Sequence, residues 1–170
     1  MPRAKRDSQH NPRQLAYRRK VLHADEVTPF DSQIAGRICR ALSSRTEILD
    51  AYLFGSQARG NTHSQSDVDI AVYLDSAIDL DRGFGIESEI ATDLMGVLGR
   101  NDIDVVVLNR ADPVLYHRVL RDGVRLIARE PHCTAARETY ALSRYFDFLP
   151  QLEKIRTIAD RRSARGEFGR

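Results

Sequence analysis

The sequence has only two cysteines and no long apolar run, and each scarcity excludes a class of protein. Cys39 and Cys133 are far apart and lack the spacing of metal ligands, so a disulfide scaffold and a zinc finger are excluded. This cysteine usage favours a reducing, cytoplasmic location. No apolar run approaches the roughly 20 residues of a membrane-spanning helix, so no association with a membrane is expected.

Length and composition favour one globular domain. The chain has 170 residues, of which 42% are apolar and 29% are charged. The apolar fraction is enough for a sizeable core, and the length leaves little room for a second domain.

Positive charge is concentrated at the N-terminus. Residues 1–20 contain seven Lys or Arg and one Asp, whereas the other 150 residues contain 19 basic and 23 acidic residues. With few apolar residues, this segment is expected to be disordered and to lack a secretory signal. We therefore predict a basic tail over 1–24, a folded domain with a C-terminal helical segment over 25–160, and a frayed tail over 161–170. The basic tail either solubilises the chain or contacts nucleic acid or an acidic partner.

Hydrophobic periodicity alternates between helix and strand along the predicted domain. Thr28 is the expected N-cap of a first helix, and Pro150 is expected to kink or split the last one. The predicted strands are Asp50–Phe54, Asp67–Leu74, Ile103–Leu108 and Val124–Ala128. The helices predicted after the first are Arg82–Leu98, Asp112–Arg121 and a long segment from about Thr134. The expected class is α/β (α+β), with a small mixed β-sheet flanked by helices.

Polar residues with the chemistry of a nucleotide site surround two of these strands. Asp67 and Asp69 are two residues apart on a strand, so their carboxylates project from one face and suit Mg²⁺. Upstream, Gly55 permits close approach of a phosphate, and Ser56 supplies a hydroxyl donor. Asp104, on the next strand, is the candidate third carboxylate.

Three acids so arranged can hold two Mg²⁺ ions about 3.5–4 Å apart for in-line phosphoryl displacement. Asp102 shares the face of Asp104 but lies nearer the strand start, so it ranks below Asp104. Arg59 is a candidate phosphate contact or a surface residue. His63 is a candidate substrate contact or a solvated loop residue.

The run Gly55-Ser-Gln-Ala-Arg-Gly60, followed by Ser66-Asp-Val-Asp69, resembles the signature of the polymerase-beta-like nucleotidyltransferase superfamily. The fuller pattern is similar to its minimal nucleotidyltransferase branch, found in antitoxins. The resemblance covers roughly residues 30–158. It implies that Gly55 and Ser56 bind the nucleotide phosphates, and that Asp67, Asp69 and Asp104 are the metal-bound catalytic carboxylates. No position of the motif is degraded, which favours an active enzyme with Mg²⁺ as cofactor and ATP as substrate.

The same resemblance implies an antitoxin that transfers AMP from ATP to a tyrosine of a HEPN-type ribonuclease toxin and so neutralises it. The toxin would be both protein substrate and partner in a hetero-oligomer. Two alternatives remain open: an antitoxin that acts by binding alone, and a small-molecule nucleotidyltransferase of the antibiotic-modifying type. The latter usually carries a sizeable second domain, for which about 40 residues after Arg129 leave little room.

Overall fold

The structure is a computed structural model that describes residues 32–58, 67–80 and 85–164. The predicted N-terminal tail, the Thr28 cap, Arg59 and His63 all lie outside these residues.

Helices and strands alternate as the periodicity predicts. In chain order they are α1 (Ser32–Ser43), β1 (Ile48–Phe54), α2 (Gly55–Ala58), β2 (Val68–Leu74), α3 (Ile86–Leu98), β3 (Ile103–Val107), α4 (Pro113–Asp122), β4 (Val124–Ala128) and α5 (Pro131–Ala164). A 3₁₀ turn, Leu108–Arg110, joins β3 to α4. Within the described residues, one sheet has the strand order β3-β2-β1-β4. Strand β2 is parallel to β3, and β1 is antiparallel to β2 and β4. The predicted mixed sheet is therefore confirmed.

The two faces of this sheet have different neighbours. On the first, called here the apolar face, Ile70 and Val72 of β2 pack with Ile38 of α1 and with Ile90 and Leu94 of α3. All five side chains are fully buried.

On the second, called here the polar face, Tyr52 and Ala71 pack with Tyr116 of α4 and Ala141 of α5. The alternation predicted for β2 is thus confirmed, because successive residues enter different clusters.

Two predicted helix boundaries have the expected chemistry. Gly99 ends α3 in the left-handed conformation, with φ 71°, and its N–H donates to the carbonyl of Met95. Asp112 precedes Pro113 and caps α4, because its Oδ1 accepts from the N–H groups of Val114 and Leu115 at 2.8 and 2.9 Å.

The last helix differs from its prediction. It begins at Pro131, is not split at Pro150, and continues to Ala164, so it includes residues 161–164 of the predicted C-terminal tail. Pro150 is exposed, where solvent can bond to the carbonyl that proline leaves without a donor. Phe146 of this helix is 57% exposed, whereas Ala141 is buried. No helix in the described part of the chain is long and apolar enough to cross a membrane.

Candidate active site

Asp69 and Asp104 lie opposite each other on neighbouring parallel strands. The register of β2 and β3 pairs Asp69 with Asp104 and, two residues further along, Ala71 with Val106. Because Ala71 and Val106 belong to the polar face, alternation places both carboxylates on that face too. Asp69 is half-buried and Asp104 is exposed. The structure therefore brings together two carboxylates that come from separate sequence segments.

Gly55 is the residue against which the Asp69 carboxylate packs. Phe54 pairs with Asp69 across β1 and β2, so Gly55 follows at the edge of the sheet. Its φ is 75°, and a Cβ built on it would lie 1.8 Å from Oδ2 of Asp69. Any side chain here would strain the backbone and collide with the carboxylate. The sequence predicted that a glycine is needed at position 55 for the approach of a phosphate. The contact with Asp69 is a second need for glycine there, which the sequence did not predict.

Ser56 lies beside this contact, in the single turn α2. It is half-buried, whereas the two residues after it, Gln57 and Ala58, are buried. Because Ser56 follows Gly55 directly, the turn holds the predicted phosphate-binding pair next to Asp69.

Asp67 and Asp102 precede strands β2 and β3 at the same end of the sheet. The N–H of Val68 donates to the carbonyl of Asp102 at 2.9 Å, which extends the parallel ladder by one step. Asp67 is exposed. Asp102 accepts from Nε of Arg100 at 2.6 Å, and this hydrogen bond is the main cause that lowers the pKa of Asp102. Asp102 is thus engaged in an ion pair, which is consistent with its rank below Asp104.

The donor chemistry of the facing pair suits a hard divalent cation. Mg²⁺ usually takes one or two carboxylates from a protein, and water and substrate phosphates complete its shell. In the ranges that the structure describes, no three His, Cys, Asp or Glu side chains are grouped closely enough to hold a metal. Asp69 and Asp104 have oxygen donors of the kind that such a site uses, and Asp67 lies exposed just before β2.

A buried ionic network fixes α5 over the polar face. Asp50 has no exposed surface; its Oδ1 accepts from the Thr134 hydroxyl at 2.5 Å, and its Oδ2 accepts from Nε of Arg137 at 2.7 Å. The Arg137 guanidinium also lies over the Tyr73 ring, 4.9 Å from its centroid. The sequence did not predict this network. A lone aspartate inside the apolar run Leu49–Phe54 was the available signal.

Tyrosine hydroxyls continue this polar layer toward the carboxylates. Tyr52 donates to Oε1 of Glu138 at 2.9 Å, and burial together with the Glu138 charge raises the pKa of Tyr52. Burial also raises the pKa of Tyr116, whose hydroxyl has no hydrogen-bond partner among the described residues. The layer between sheet and helices is thus polar but shielded, unlike the open end that holds Asp69 and Asp104.

Asn109 fixes the register that aligns the carboxylates. Its Oδ1 accepts from the N–H of Leu74 at 2.8 Å, and its Nδ2 donates to the carbonyl of Leu74 at 2.9 Å. The side-chain amide therefore acts as one more peptide unit in the β2–β3 ladder. This matters because a slip of one residue would move Asp104 to the apolar face.

Comparisons with known proteins agree with this geometry. A family model described as "Polymerase beta, Nucleotidyltransferase" matches residues 37–132, which contain β1 to β4 and the residues Gly55, Ser56, Asp67, Asp69 and Asp104. The protein adenylyltransferase MntA of Shewanella oneidensis is 35% identical over 75 residues, which are 44% of this chain and 50% of MntA. The matched part of the chain therefore spans about half the length of that curated relative.

Solved structures of toxin–antitoxin complexes contain similar chains. A chain of the crystal structure of a toxin–antitoxin with AMP-PNP has 28% identity and a TM-score of 0.61, with 74% of this chain and 96% of that chain covered. A second match is to the tri-AMPylated Shewanella oneidensis HEPN toxin in complex with MNT antitoxin. It has 26% identity and a TM-score of 0.56, and covers 75% of this chain and 95% of the matched chain.

Proposed function

This chain belongs to the polymerase beta nucleotidyltransferase family, and from that premise we propose that it is an antitoxin adenylyltransferase. It transfers AMP from ATP to a tyrosine of a HEPN ribonuclease toxin and thereby neutralises the toxin. The observation that carries the proposal is the facing pair Asp69 and Asp104 beside Gly55 and Ser56, because nucleotidyl transfer requires aligned carboxylates next to a group that binds phosphate.

The nucleotide would bind at the edge of the sheet where β1 ends. Gly55 lets the chain pass directly against the Asp69 carboxylate, and the Ser56 hydroxyl next to Gly55 would donate to phosphate oxygens. Asp67, Asp69 and Asp104 would hold Mg²⁺, which when bound neutralises charge on the triphosphate and on the departing pyrophosphate. The match to a chain solved with AMP-PNP supports ATP as the nucleotide.

The reaction would be an in-line displacement at the α-phosphorus of ATP. The phenol oxygen of the acceptor forms a bond to that phosphorus while the bond to the pyrophosphate oxygen breaks. Asp104 is exposed and accessible to an acceptor, so it is the group that would accept the phenol proton. Asp69, held between β1 and β3 and packed on Gly55, would help to hold Mg²⁺ beside the phosphates.

A protein acceptor is supported by the relatives rather than by the site alone. The curated relative is a protein adenylyltransferase, and one matched complex contains a tri-AMPylated HEPN toxin with its MNT antitoxin. AMP on a toxin tyrosine near its RNase site would place a bulky anion where the RNA phosphate must bind. Inhibition would then persist after the antitoxin has left.

Intact-mass measurement of the cognate HEPN ribonuclease tests this function. The toxin is co-expressed with the wild-type chain, with Asp69→Asn, or with Asp93→Asn as a matched control. Asp93 is a carboxylate on α3 that pairs with Arg45, on the side of the apolar face. We expect added mass of one or more AMP units with wild type and Asp93→Asn, and none with Asp69→Asn. A toxin neutralised without added mass would instead establish an antitoxin that acts by binding alone.

A further inference from the structure

One side of helix α5 carries a regular series of residues, called here the α5 seam. Its members are alternately four and three residues apart: Thr134, Glu138, Ala141, Tyr145, Phe148, Leu152, Ile155 and Ala159. Because this spacing averages about 3.5 residues, close to one helical turn, all of them lie on the same side of α5.

The first two members of the seam bind the sheet. The Thr134 hydroxyl donates to Oδ1 of Asp50 at 2.5 Å, and Oε1 of Glu138 accepts from the Tyr52 hydroxyl at 2.9 Å. Asp50 and Tyr52 are two residues apart on β1, so these contacts advance along the strand in the direction of Gly55. The seam therefore begins on the polar face and runs toward the end of β1.

The next two members pack on the core and on α4. Ala141 is buried in the cluster that contains Tyr52 and Tyr116. The ring of Tyr145 stacks on the ring of His117, with 3.7 Å between the ring centroids. Up to Tyr145, therefore, every member of the seam contacts another element of the domain.

Beyond Tyr145 the seam is entirely apolar and leaves the core. Within the residues that the structure describes, neither apolar cluster of the sheet includes Phe148, Leu152 or Ile155. Phe148 and Leu152 are half-buried, Ile155 is 57% exposed, and Ala159 is exposed as well. From Phe148 to Ala159 the helix rises about 17 Å, or about three turns. Apolar residues aligned over this length, unlike single scattered ones, mark a surface for interaction with a protein.

The charges around this part of the seam are mainly basic. Residues 150–164 contain four basic and two acidic side chains: Lys154, Arg156, Arg161, Arg162, Glu153 and Asp160. Arg156 follows Leu152 by four residues and Arg162 follows Ile155 by seven, so both arginines lie beside the seam. A second copy of this helix would bring like charges together, whereas acidic side chains would be attracted. The charge pattern therefore favours a different partner, with acidic residues around its apolar face.

We propose that the second half of the α5 seam docks an α-helix of the protein acceptor, one whose apolar face lies between acidic side chains. A helix fits because a spacing of about 3.5 residues is the one at which two helices interlock side by side. The inference rests on the proposed transfer of AMP to a protein. Since α5 packs on the polar face, the acceptor is held on the side of the sheet that carries Asp69 and Asp104.

Isothermal titration calorimetry with the purified cognate HEPN ribonuclease, without nucleotide, tests the proposal. We expect Ile155→Glu to weaken binding at least about tenfold, because it places a charge in the apolar contact. The matched control is Phe146→Glu, at a residue that is also 57% exposed but lies on another side of α5, and it should bind as wild type does. Both variants should keep the wild-type melting temperature. Binding by Ile155→Glu that is as tight as that of wild type would overturn the proposal.

The acidic character of the partner has its own test. Arg156→Gln should weaken binding by about threefold, the scale for an exposed ion pair, and should reduce the dependence of the Kd on salt. An unchanged Kd and an unchanged salt dependence would contradict acidic side chains beside the docked helix.

Steady-state rates separate this docking surface from the proposed function. We expect Ile155→Glu to raise the KM for the toxin and to leave the KM for ATP unchanged. Full AMP transfer with an unchanged KM for the toxin would reject the docking surface and keep the function. Absence of AMP transfer by wild type, with binding that still depends on Ile155, would reject the function and keep the docking surface. Sedimentation of the chain alone tests the other occupant: a wild-type dimer that Ile155→Glu dissociates would overturn the proposal in favour of a second copy.

Discussion

The apolar face and the polar face of the sheet alternate residue by residue along β2, but they are enclosed to different extents. On the apolar face, Ile70 and Val72 are fully buried under α1 and α3. On the polar face, α4 and α5 cover Tyr52 and Ala71, while Asp104, nearer the strand start, is exposed. Repelling carboxylates are tolerable at that uncovered end because solvent screens them. The difference shows how one strand supplies the core with one set of residues and the proposed active site with the other.

Replacing Asp69 should have the largest effect on activity and little on stability. Asp69→Asn is expected to lower AMP transfer by at least about 100-fold, because it removes a carboxylate expected to bind the metal. Its melting temperature should be equal to or above that of wild type, because repulsion with Asp104 is relieved. Rate assays and thermal unfolding on one preparation check both. Retention of a tenth of the activity would place the reaction elsewhere.

Replacing a buried leucine of α3 should have a large effect on stability and little on activity. Leu94→Ala removes a fully buried side chain from the apolar face and is expected to lower the free energy of unfolding by about 3 kcal/mol. The KM for ATP should not change while the protein is folded. Urea denaturation and initial rates measured well below the unfolding transition test this. A large rise in KM would mean that the two faces are not independent.

Two glycine substitutions sharpen the comparison further. Gly55→Ala should cost about 2 kcal/mol of stability and most of the activity, because of its positive φ and the collision with Asp69. Gly96→Ala, at an exposed position in α3 with no atom within 4 Å of the added Cβ, should instead stabilise by about 0.5–1 kcal/mol. Chemical denaturation of both variants measures the two changes in the free energy of unfolding. Equal effects at the two positions would rule out the tight contact at Gly55.

The smallest expected effect is a pH dependence of stability that arises from His117. Its ring stacks on the ring of Tyr145 of α5, with 3.7 Å between the ring centroids. Burial, and then the charge of Arg121, lowers the pKa of His117 in the folded state. The unfolded chain therefore binds a proton at His117 more readily than the folded chain does. The stability that neutral His117 contributes is complete above about pH 6.5 and is lost as the pH falls below that value. His117→Asn should reduce the drop in melting temperature between pH 8 and pH 5. An unchanged drop in melting temperature would mean that other groups cause the pH dependence.

Structural features that depend on residues close together in the sequence could be predicted from it. The alternation predicted for β2 was enough to place Asp69 on the face opposite Ile70, although Asp67 precedes the strand, and the Asp112 and Gly99 caps follow from chemistry within a few residues. The sequence also indicated Asp104 as the third acid, because a valine-rich strand was expected beside β2. The pairing of Asp104 with Asp69 confirms that expectation of neighbouring strands.

Contacts between residues far apart in the sequence could not be predicted from it. The network of Asp50, Thr134 and Arg137 joins residues more than 80 positions apart, so no spacing rule reveals it. Strand β1 likewise begins at Ile48, two residues before its predicted start, and its register with β2 shifts between Ile48 and Asp50. At Pro150 the expected split is wrong, since α5 continues through the proline at an exposed position where solvent can bond to the carbonyl left without a donor. These outcomes depend on tertiary packing and exposure, which local periodicity does not encode.

The most direct test of the central claim is transfer of label from ATP to the purified cognate HEPN ribonuclease. Two reactions are compared, one with ATP labelled at the α-phosphate and one with ATP labelled at the γ-phosphate. The account predicts label on the toxin from α-labelled ATP only, with pyrophosphate released, and none with Asp69→Asn. Label from γ-labelled ATP, or toxin inhibited with no label from either, would contradict it.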